Sequence, residues 1–268
     1  MEPSTRKPRG AGLSSVANAA RIAKAFTDQE PELGISALAS RLGLAKSTVH
    51  RLATTLVEHH LLEQNRENGK YRLGLAVFEM GMLVRRKMDV ATEARPAMRN
   101  LATLTGETVQ LAVLDGASVL YILVLESRQA VRMAASLGER APAHCTAVGK
   151  ALLAFQPPEV QRRFAGAPLT GLTARSHTQG AALLEELAQV RSRGHALDEE
   201  EMADGLRCVA APIRDHAGRV VAALSVAAPV QRLAKKALPT TAASVMQAAA
   251  LISARLGYAP PPGLRTIL

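Results

Sequence analysis

Apolar residues recur at Val16, Ala19, Ala20, Ile22, Ala23 and Phe26, the spacing of one buried helix face. Pro31 and Gly34 interrupt the pattern, and "SALASRL" restarts it with Leu38 and Leu42 on one side and Ser36 placed as an N-cap. Gly43 ends that segment. "AKSTVHRLATTLVEH" then carries the helical period through Val49, Leu52, Ala53, Leu56 and Val57. Two short strand-like runs flank Asn68-Gly69, a strong hairpin signal. The first 75 residues therefore predict three helices and a hairpin. A further helical pattern from Leu75 to about Lys87 is too exposed to form a core element alone and reads as a linker helix.

Beyond it the pattern changes. Pro96 marks a break or kink in a helical stretch ending near Gly106. "ETVQLAVLDGASVLYILVLES" predicts two strands around Asp115-Gly116, and "AVRMAA" a third. Helices are expected over 147–155 and about 179–193, the second stopped by Gly194. "RCVAAPIRDHAGRVVAALSVAA" reads as another strand pair, and an Ala-rich helix kinked at Pro239 runs to about Leu256. Strands and helices mix without regular alternation, which predicts an α+β fold with an antiparallel sheet.

Composition narrows the function. The 268 residues are 48% hydrophobic, enough for real cores, but only 3% aromatic with no Trp, so Ala, Leu and Val must do the packing. The net charge of +10 is spread over both halves: 11 basic and 7 acidic residues up to Leu75, 22 and 16 after it. That balance favours a polyanionic partner without naming a face. Two cysteines, Cys145 and Cys208, are too few for a disulfide framework, and no Cys/His spacing suits zinc. No apolar run reaches 18 residues and no apolar segment follows the basic start, so a cytoplasmic, nucleoid-associated protein without membrane contact is expected.

"SALASRLGLAKSTVHRLATTL" has the arrangement of a helix-turn-helix. Ala39 allows two helices to approach, Gly43 supplies the turn, and Val49 and Leu52 pin the second helix to the first. Lys46, Ser47, Thr48, His50, Arg51, Thr54 and Thr55 are left facing outward, suited to phosphates and base edges in a major groove. The hairpin then forms a wing, with Arg66, Lys70 and Arg72 placed to reach the DNA backbone or minor groove. A helical hairpin with a merely solvated polar face is the plain alternative.

"AHCTAVGKALLA" carries the other candidate chemistry. A phosphate loop would need Gly where His144 stands and Ser or Thr where Ala151 stands, so that reading fails. His144 and Cys145 are adjacent and would point apart in a strand, and no supporting Asn or Asp is evident for a nucleophile. Zinc held by Cys145, Cys208 and a His stays open. The remaining reading is a helix start: Thr146 as N-cap, with the amides of Ala147, Val148 and Gly149 open to a carboxylate. Lys150 serves equally as an anion partner or as a solvated helix residue.

Taken together, "YRLG", "TGET", "HCTAVGKALLA", "VRSRGHALDEEEMADGLRCVAAPI" and "ALSVAAP" occur in the order seen in the IclR family of bacterial transcription regulators, which the chain resembles from about Ser15 to Arg255. The resemblance implies a winged helix-turn-helix, a linker helix and a GAF-like ligand-sensing domain, assembled as a homodimer or a dimer of dimers. It also implies an effector pocket that includes Ala147 and Val148, and adds Asp198, Cys208 and Ser225 to it. Where the family often has a second Ser, this chain has Ala227, and where it usually has Gly after the recognition helix, this chain has His60. His tolerates the left-handed conformation required there at the expense of modest strain.

The expected organisation is a disordered basic arm over 1–14, a DNA-binding domain over 15–74, a linker helix over 75–89, an effector domain over 90–258 and a tail over 259–268. The expected partners are double-stranded operator DNA and a small effector, a carboxylate, with no cofactor, no metal and no catalytic residue. Two other readings stay open: an enzyme using Cys145 or Cys208 with a DNA-binding head, and a constitutive DNA-binding protein without an effector.

Overall fold

The computed structural model describes residues 14–27, 29–86, 89–133 and 136–259. Apart from Ser14, which starts the first helix, and Ala259, the arm expected over 1–14 and the tail expected over 259–268 lie outside the described residues. The chain divides into two compact units, Met1–Lys87 and Met88–Leu268.

The first unit holds α1 (Ser14–Ala23), α2 (Ile35–Leu42), α3 (Lys46–Glu58), β1 (Leu62–Gln64), β2 (Tyr71–Leu73) and α4 (Leu75–Arg86). Ile22, Leu38, Ala39, Val49, Ala53, Leu56, Leu62 and Tyr71 bury together as its core. Ala39 is buried, and Gly43 adopts φ +65° while its N–H closes on the carbonyls of Ala39 and Ser40. That left-handed residue lets α3 turn back across α2. Ser36 is not the N-cap: α2 starts at Ile35 behind Gly34, with no side-chain cap. The hairpin is present but wider than a two-residue turn, since Gln64 pairs with Tyr71. Asn65 and Asn68 each donate to the Glu32 carboxylate, at 3.1 and 2.9 Å, which fastens the wing to the segment before α2.

The second unit is built on a six-stranded antiparallel sheet of order β5-β4-β3-β8-β7-β6. Its strands are β3 (Thr108–Asp115), β4 (Ser118–Leu125), β5 (Arg140–Pro142), β6 (Ala196–Glu199), β7 (Leu206–Arg214) and β8 (Val220–Pro229). One face packs against α5 (Asp89–Thr105) and α9 (Leu238–Arg255) through Met98, Leu111, Ile213, Leu224, Val226, Val245 and Ile252. The other face carries α6 (Ala147–Leu153), with α8 (Gly180–Arg193) and α7 (Pro158–Ala165) around it. Residues 235–255 are long and apolar enough in composition to cross a membrane. In this fold Ala242, Val245, Ala249 and Ile252 of that stretch pack into the core beneath the sheet.

Several expectations need correction. "AVRMAA" forms no strand over its described residues: the Val131 carbonyl accepts from Arg232 and the Met133 carbonyl from Thr108, so side chains take the groups a ladder would need. The edge strand is β5 instead, paired with β4. Pro239 sits in the first turn of α9, where a missing N–H costs nothing, and so starts the helix rather than kinking it. α5 continues through Pro96 to Thr105.

His60 occupies the left-handed conformation expected of it, at φ +57°. The Leu61 N–H reaches the Leu56 carbonyl and the His60 N–H that of Val57, both at 2.9 Å, so α3 closes in a Schellman motif. The His60 carbonyl in turn lies where a side chain at Gly74 would begin, 2.2 Å from an ideal Cβ, so only glycine fits there. Gly74 also donates to the Leu61 carbonyl at 3.0 Å, which ties the end of the wing to the end of the recognition helix. His60→Gly removes the left-handed penalty, partly offset by the larger entropy of an unfolded glycine. The expected result is a stabilisation of roughly 0.5–1 kcal/mol in urea unfolding monitored on the N-terminal unit; an unchanged or lower midpoint would show that His60 carries no strain.

Candidate functional site

The outward face of α3 is the polar surface the sequence predicts. Lys46, Ser47, His50, Arg51, Thr54 and Thr55 are exposed and Thr48 half-buried, because Val49, Ala53 and Leu56 take the core positions between them. Thr54 and Thr55 donate to the carbonyls of His50 and Arg51, at 3.0 and 3.2 Å, and keep their oxygen lone pairs free to accept. Lys46, Arg51, Arg66 and Lys70 make no ion pair among the described residues. Arg72 differs: it is bound to Glu63 at 3.1 Å and lies 3.8 Å from Glu32. It holds the Glu63 carboxyl below its usual range, and it is less free for a phosphate than its neighbours.

In the second unit the predicted residues gather on one sheet face. Antiparallel register sets Asp198 opposite Cys208, Cys208 opposite Ala227, and Ala227 opposite Thr108. The adjacent row runs Ala196, Ala210, Ser225, Gln110. All eight are buried, and α6 packs over them with Ala147, Val148 and Ala151. The two polar rows thus lie under the helix whose start carries Thr146.

At that start, Thr146 is the N-cap and accepts from the Gly149 N–H at 3.1 Å. The amides of Ala147 and Val148 have no partner among the described residues, whereas that of Gly149 is used. Gly149 serves packing: an ideal Cβ there would lie 2.1 Å from the Ala143 carbonyl oxygen. Only glycine lets α6 start this close to the preceding strand.

Asp198 is 1% exposed and accepts from the Glu201 N–H at 2.7 Å and the Met202 N–H at 3.3 Å. Burial pushes its carboxyl up to about 7, with Glu201 adding to the rise and the two amides and Lys150 opposing it. Burial likewise raises the thiols of Cys145 and Cys208 above their ordinary range. A neutral, buried thiol is a poor nucleophile. The His144 Nε2 is committed to the Thr170 carbonyl at 3.0 Å, the same oxygen the Cys145 thiol approaches at 3.9 Å, so no hydrogen bond joins the histidine to the thiol as base to nucleophile. Among the described residues no group of three His, Cys, Asp or Glu side chains is placed to hold a metal.

Two residues matter more than the sequence indicated. Gln110 is buried, and its Oε1 accepts from the Ser225 hydroxyl at 3.1 Å while its Nε2 lies 3.6 Å from the Met133 sulfur. Its signal was legible as a polar residue at an inward position of "TVQLAVL", two from Thr108. Lys150 is neither solvated nor open to a ligand. It is 1% exposed, hydrogen-bonded to Glu201 and 3.6 Å from Glu186.

Residues 82–254 match the model for the C-terminal region of the bacterial transcriptional regulator IclR, and residues 15–66 match the IclR helix-turn-helix domain. Over 247 residues the chain is 38% identical to the HTH-type transcriptional regulator XynR of Escherichia coli K12, covering 92% of this chain and 98% of that regulator. It is equally similar to KdgR of the same strain, with 92% and 94% covered. An IclR homolog from Microbacterium hydrocarbonoxydans, solved in complex with 4-hydroxybenzoate, matches with a TM-score of 0.81 at 29% identity, covering 90% of this chain and 98% of that one. The Thermotoga maritima IclR structure matches at 0.74 and 27%, with 92% and 100% covered. With its helix-turn-helix DNA-binding unit and its α/β ligand-binding unit, the chain belongs to the IclR family of bacterial transcriptional regulators.

Proposed function

We propose that this regulator, acting in the cytoplasm as a homodimer, binds a palindromic operator and changes its grip when a small carboxylate enters the face beneath α6. The observation that carries the effector half is the pair of buried polar rows, Asp198–Cys208 and Ser225–Gln110, on a sheet face whose other residues are mainly alanine, with Thr108, Val119 and Tyr121. Buried polar side chains are costly unless something uses them. The acid end of the effector sits at the amides of Ala147 and Val148, where the helix dipole favours an anion. Its hydroxyl or other donor end faces Asp198, with Cys208 and Ser225 along its length. The 4-hydroxybenzoate held by the Microbacterium relative has this shape, a carboxylate opposite a hydroxyl.

The exposed Leu75, Phe78 and Leu83 on α4 support dimerisation through that helix, because large apolar side chains this accessible stay costly in a lone chain. α4 also connects the two units along the chain, and in a dimer it sets the spacing of the two DNA-binding heads. An effector acts only if it binds one spacing better than the other.

Three outcomes test this reading. Arg51→Ala should weaken binding to a duplex selected from random DNA and lower the slope of log K against log salt by about one, with effector affinity unchanged; equal loss of both affinities would contradict the division of labour. Phe78→Glu should shift the sedimentation coefficient from dimer to monomer, and a dimer that survives this change would place the interface elsewhere.

Asp198→Asn is the third. Because the folded carboxyl titrates near 7 and the unfolded one near 3.8, wild-type stability is greatest below the unfolded value and is lost as pH rises through the folded one. The variant should therefore gain in melting temperature over wild type progressively between about pH 4 and 7, and a pH-independent difference would show a carboxylate ionised throughout. In calorimetry the same variant should bind a carboxylate effector with altered affinity; unchanged binding would remove Asp198 from the site.

A further inference from the structure

A cavity of about 720 Å³ opens beside the other flank of the α6 segment, between the β3–β4 turn, β5, α7 and the loop 167–170. Its size falls in the range of roughly 300–1,000 Å³ typical of small-molecule sites. The walls are largely apolar and include Leu114, Val160, Phe164 and Leu169. None of the proposed effector residues lines it.

Its charge is one-sided. Arg163 is the one Arg or Lys in the lining, and no Asp or Glu is present there. The neighbouring acid in the β3–β4 turn, Asp115, is already bound to Arg140. Arg163 itself makes no ion pair and no side-chain hydrogen bond among the described residues. The remaining ionisable group, His144, is buried, with its Nε2 committed to the Thr170 carbonyl. An apolar chamber with one uncommitted guanidinium and no carboxylate complements a molecule with an apolar body and a single negative end.

We propose that this cavity is a second ligand site, for an amphipathic monocarboxylate. The body lies against Leu114, Val160, Phe164 and Leu169, and the carboxylate takes Arg163. The site also borders the effector face through the chain itself. Pro142 and His144 form part of its wall, and Thr146, the cap of α6, follows two residues later. Occupancy therefore bears on the segment that positions the start of α6.

Titration calorimetry on the full chain with octanoate and with uncharged octanamide tests the proposal. Octanoate should bind wild type and Asp198→Asn alike. It should bind Arg163→Gln about tenfold more weakly, and octanamide should be weaker than octanoate on wild type by about the same factor, the worth of a charge-assisted contact. Val160→Trp, which fills the chamber, should abolish binding; if that variant does not fold, Arg163→Gln decides alone, since its side chain is exposed. No saturable octanoate binding, wild-type affinity in Arg163→Gln, or loss of binding in Asp198→Asn would each overturn it. So would a change in sedimentation of Arg163→Gln with octanoate affinity intact, which would make the cavity a contact between copies of this chain.

Discussion

One buried ammonium group sets the arrangement of the ligand-binding unit. Lys150 lies in the middle of a seven-residue helix whose every residue is buried, and its Nζ reaches Glu201 and Glu186. Burying the Lys150 ammonium and the Glu201 carboxylate costs several kcal/mol for each ion, which their attraction, with the half-buried Glu186 nearby, recovers only when the geometry is held. Three elements must therefore stay in place together: α6 through Lys150, α8 through Glu186, and the β6–β7 loop through Glu201. Glu186 also binds Arg193 at 2.6 Å, which anchors the far end of α8. Glu201 donates its backbone N–H to Asp198, so the same loop residue that closes the ion pair aims the carboxyl on the sheet face. Burial raises the Glu201 carboxyl and Lys150 opposes the rise. The position of Asp198 is thus a consequence of where Lys150 is allowed to be.

The sheet divides its work between its faces. Towards α5 and α9 it presents Leu111, Leu123, Ile213, Leu224 and Val226 against Met98, Leu101, Val245 and Ile252, large side chains that bury most area per residue. Towards α6 it presents Ala112, Ala196, Ala210, Ala223 and Ala227, with Ala147 and Ala151 coming down on them. Small residues on both partners bring a helix close to a sheet. They also contribute little apolar burial, so the strong face supplies the stability that lets the weak face carry Thr108, Gln110, Asp198 and Ser225. The scarcity of aromatic residues in the composition is the sequence trace of this arrangement.

Features with a local cause were legible in the sequence. The helix-turn-helix follows from Ala39, Gly43 and Val49, and the strand pairs from their alternation and turns, while the left-handed His60 was implied by the glycine usual there in the family the chain resembles. The Thr146 cap follows from the residue type and its position before an apolar run. What escaped depended on distant partners. Lys150 looks like any helix lysine until α8 and the β6–β7 loop bring Glu186 and Glu201 to it, 36 and 51 residues along the chain. Gln110 acquires meaning only when β8 sets Ser225 beside it, 115 residues away. β5 and β6, three and four residues long, carry too little alternation to stand out. α7 has only eight residues and few apolar ones, too short a stretch for its helical period to stand out.

The chemistry of the α6 face favours holding a molecule over transforming one. Proton transfer needs an acid or base poised against a reacting atom, and nucleophilic attack needs an activated oxygen or sulfur. Here both thiols are kept protonated by burial, the one adjacent histidine is tied to a backbone carbonyl, and Ser225 spends its proton on Gln110. Asp198 titrates near neutrality, which alone would suit a general base, but one of its oxygens is occupied by two backbone amides. Each polar group is thereby fixed in direction by a neighbour and blunted as a reagent. Such pre-oriented donors and acceptors cost little further entropy when a ligand arrives, which is what selective binding requires. The same fixation passes any displacement of Asp198 to Glu201, and from there to Lys150 and the helix that carries it, so a ligand on this face cannot shift one element without loading the other two.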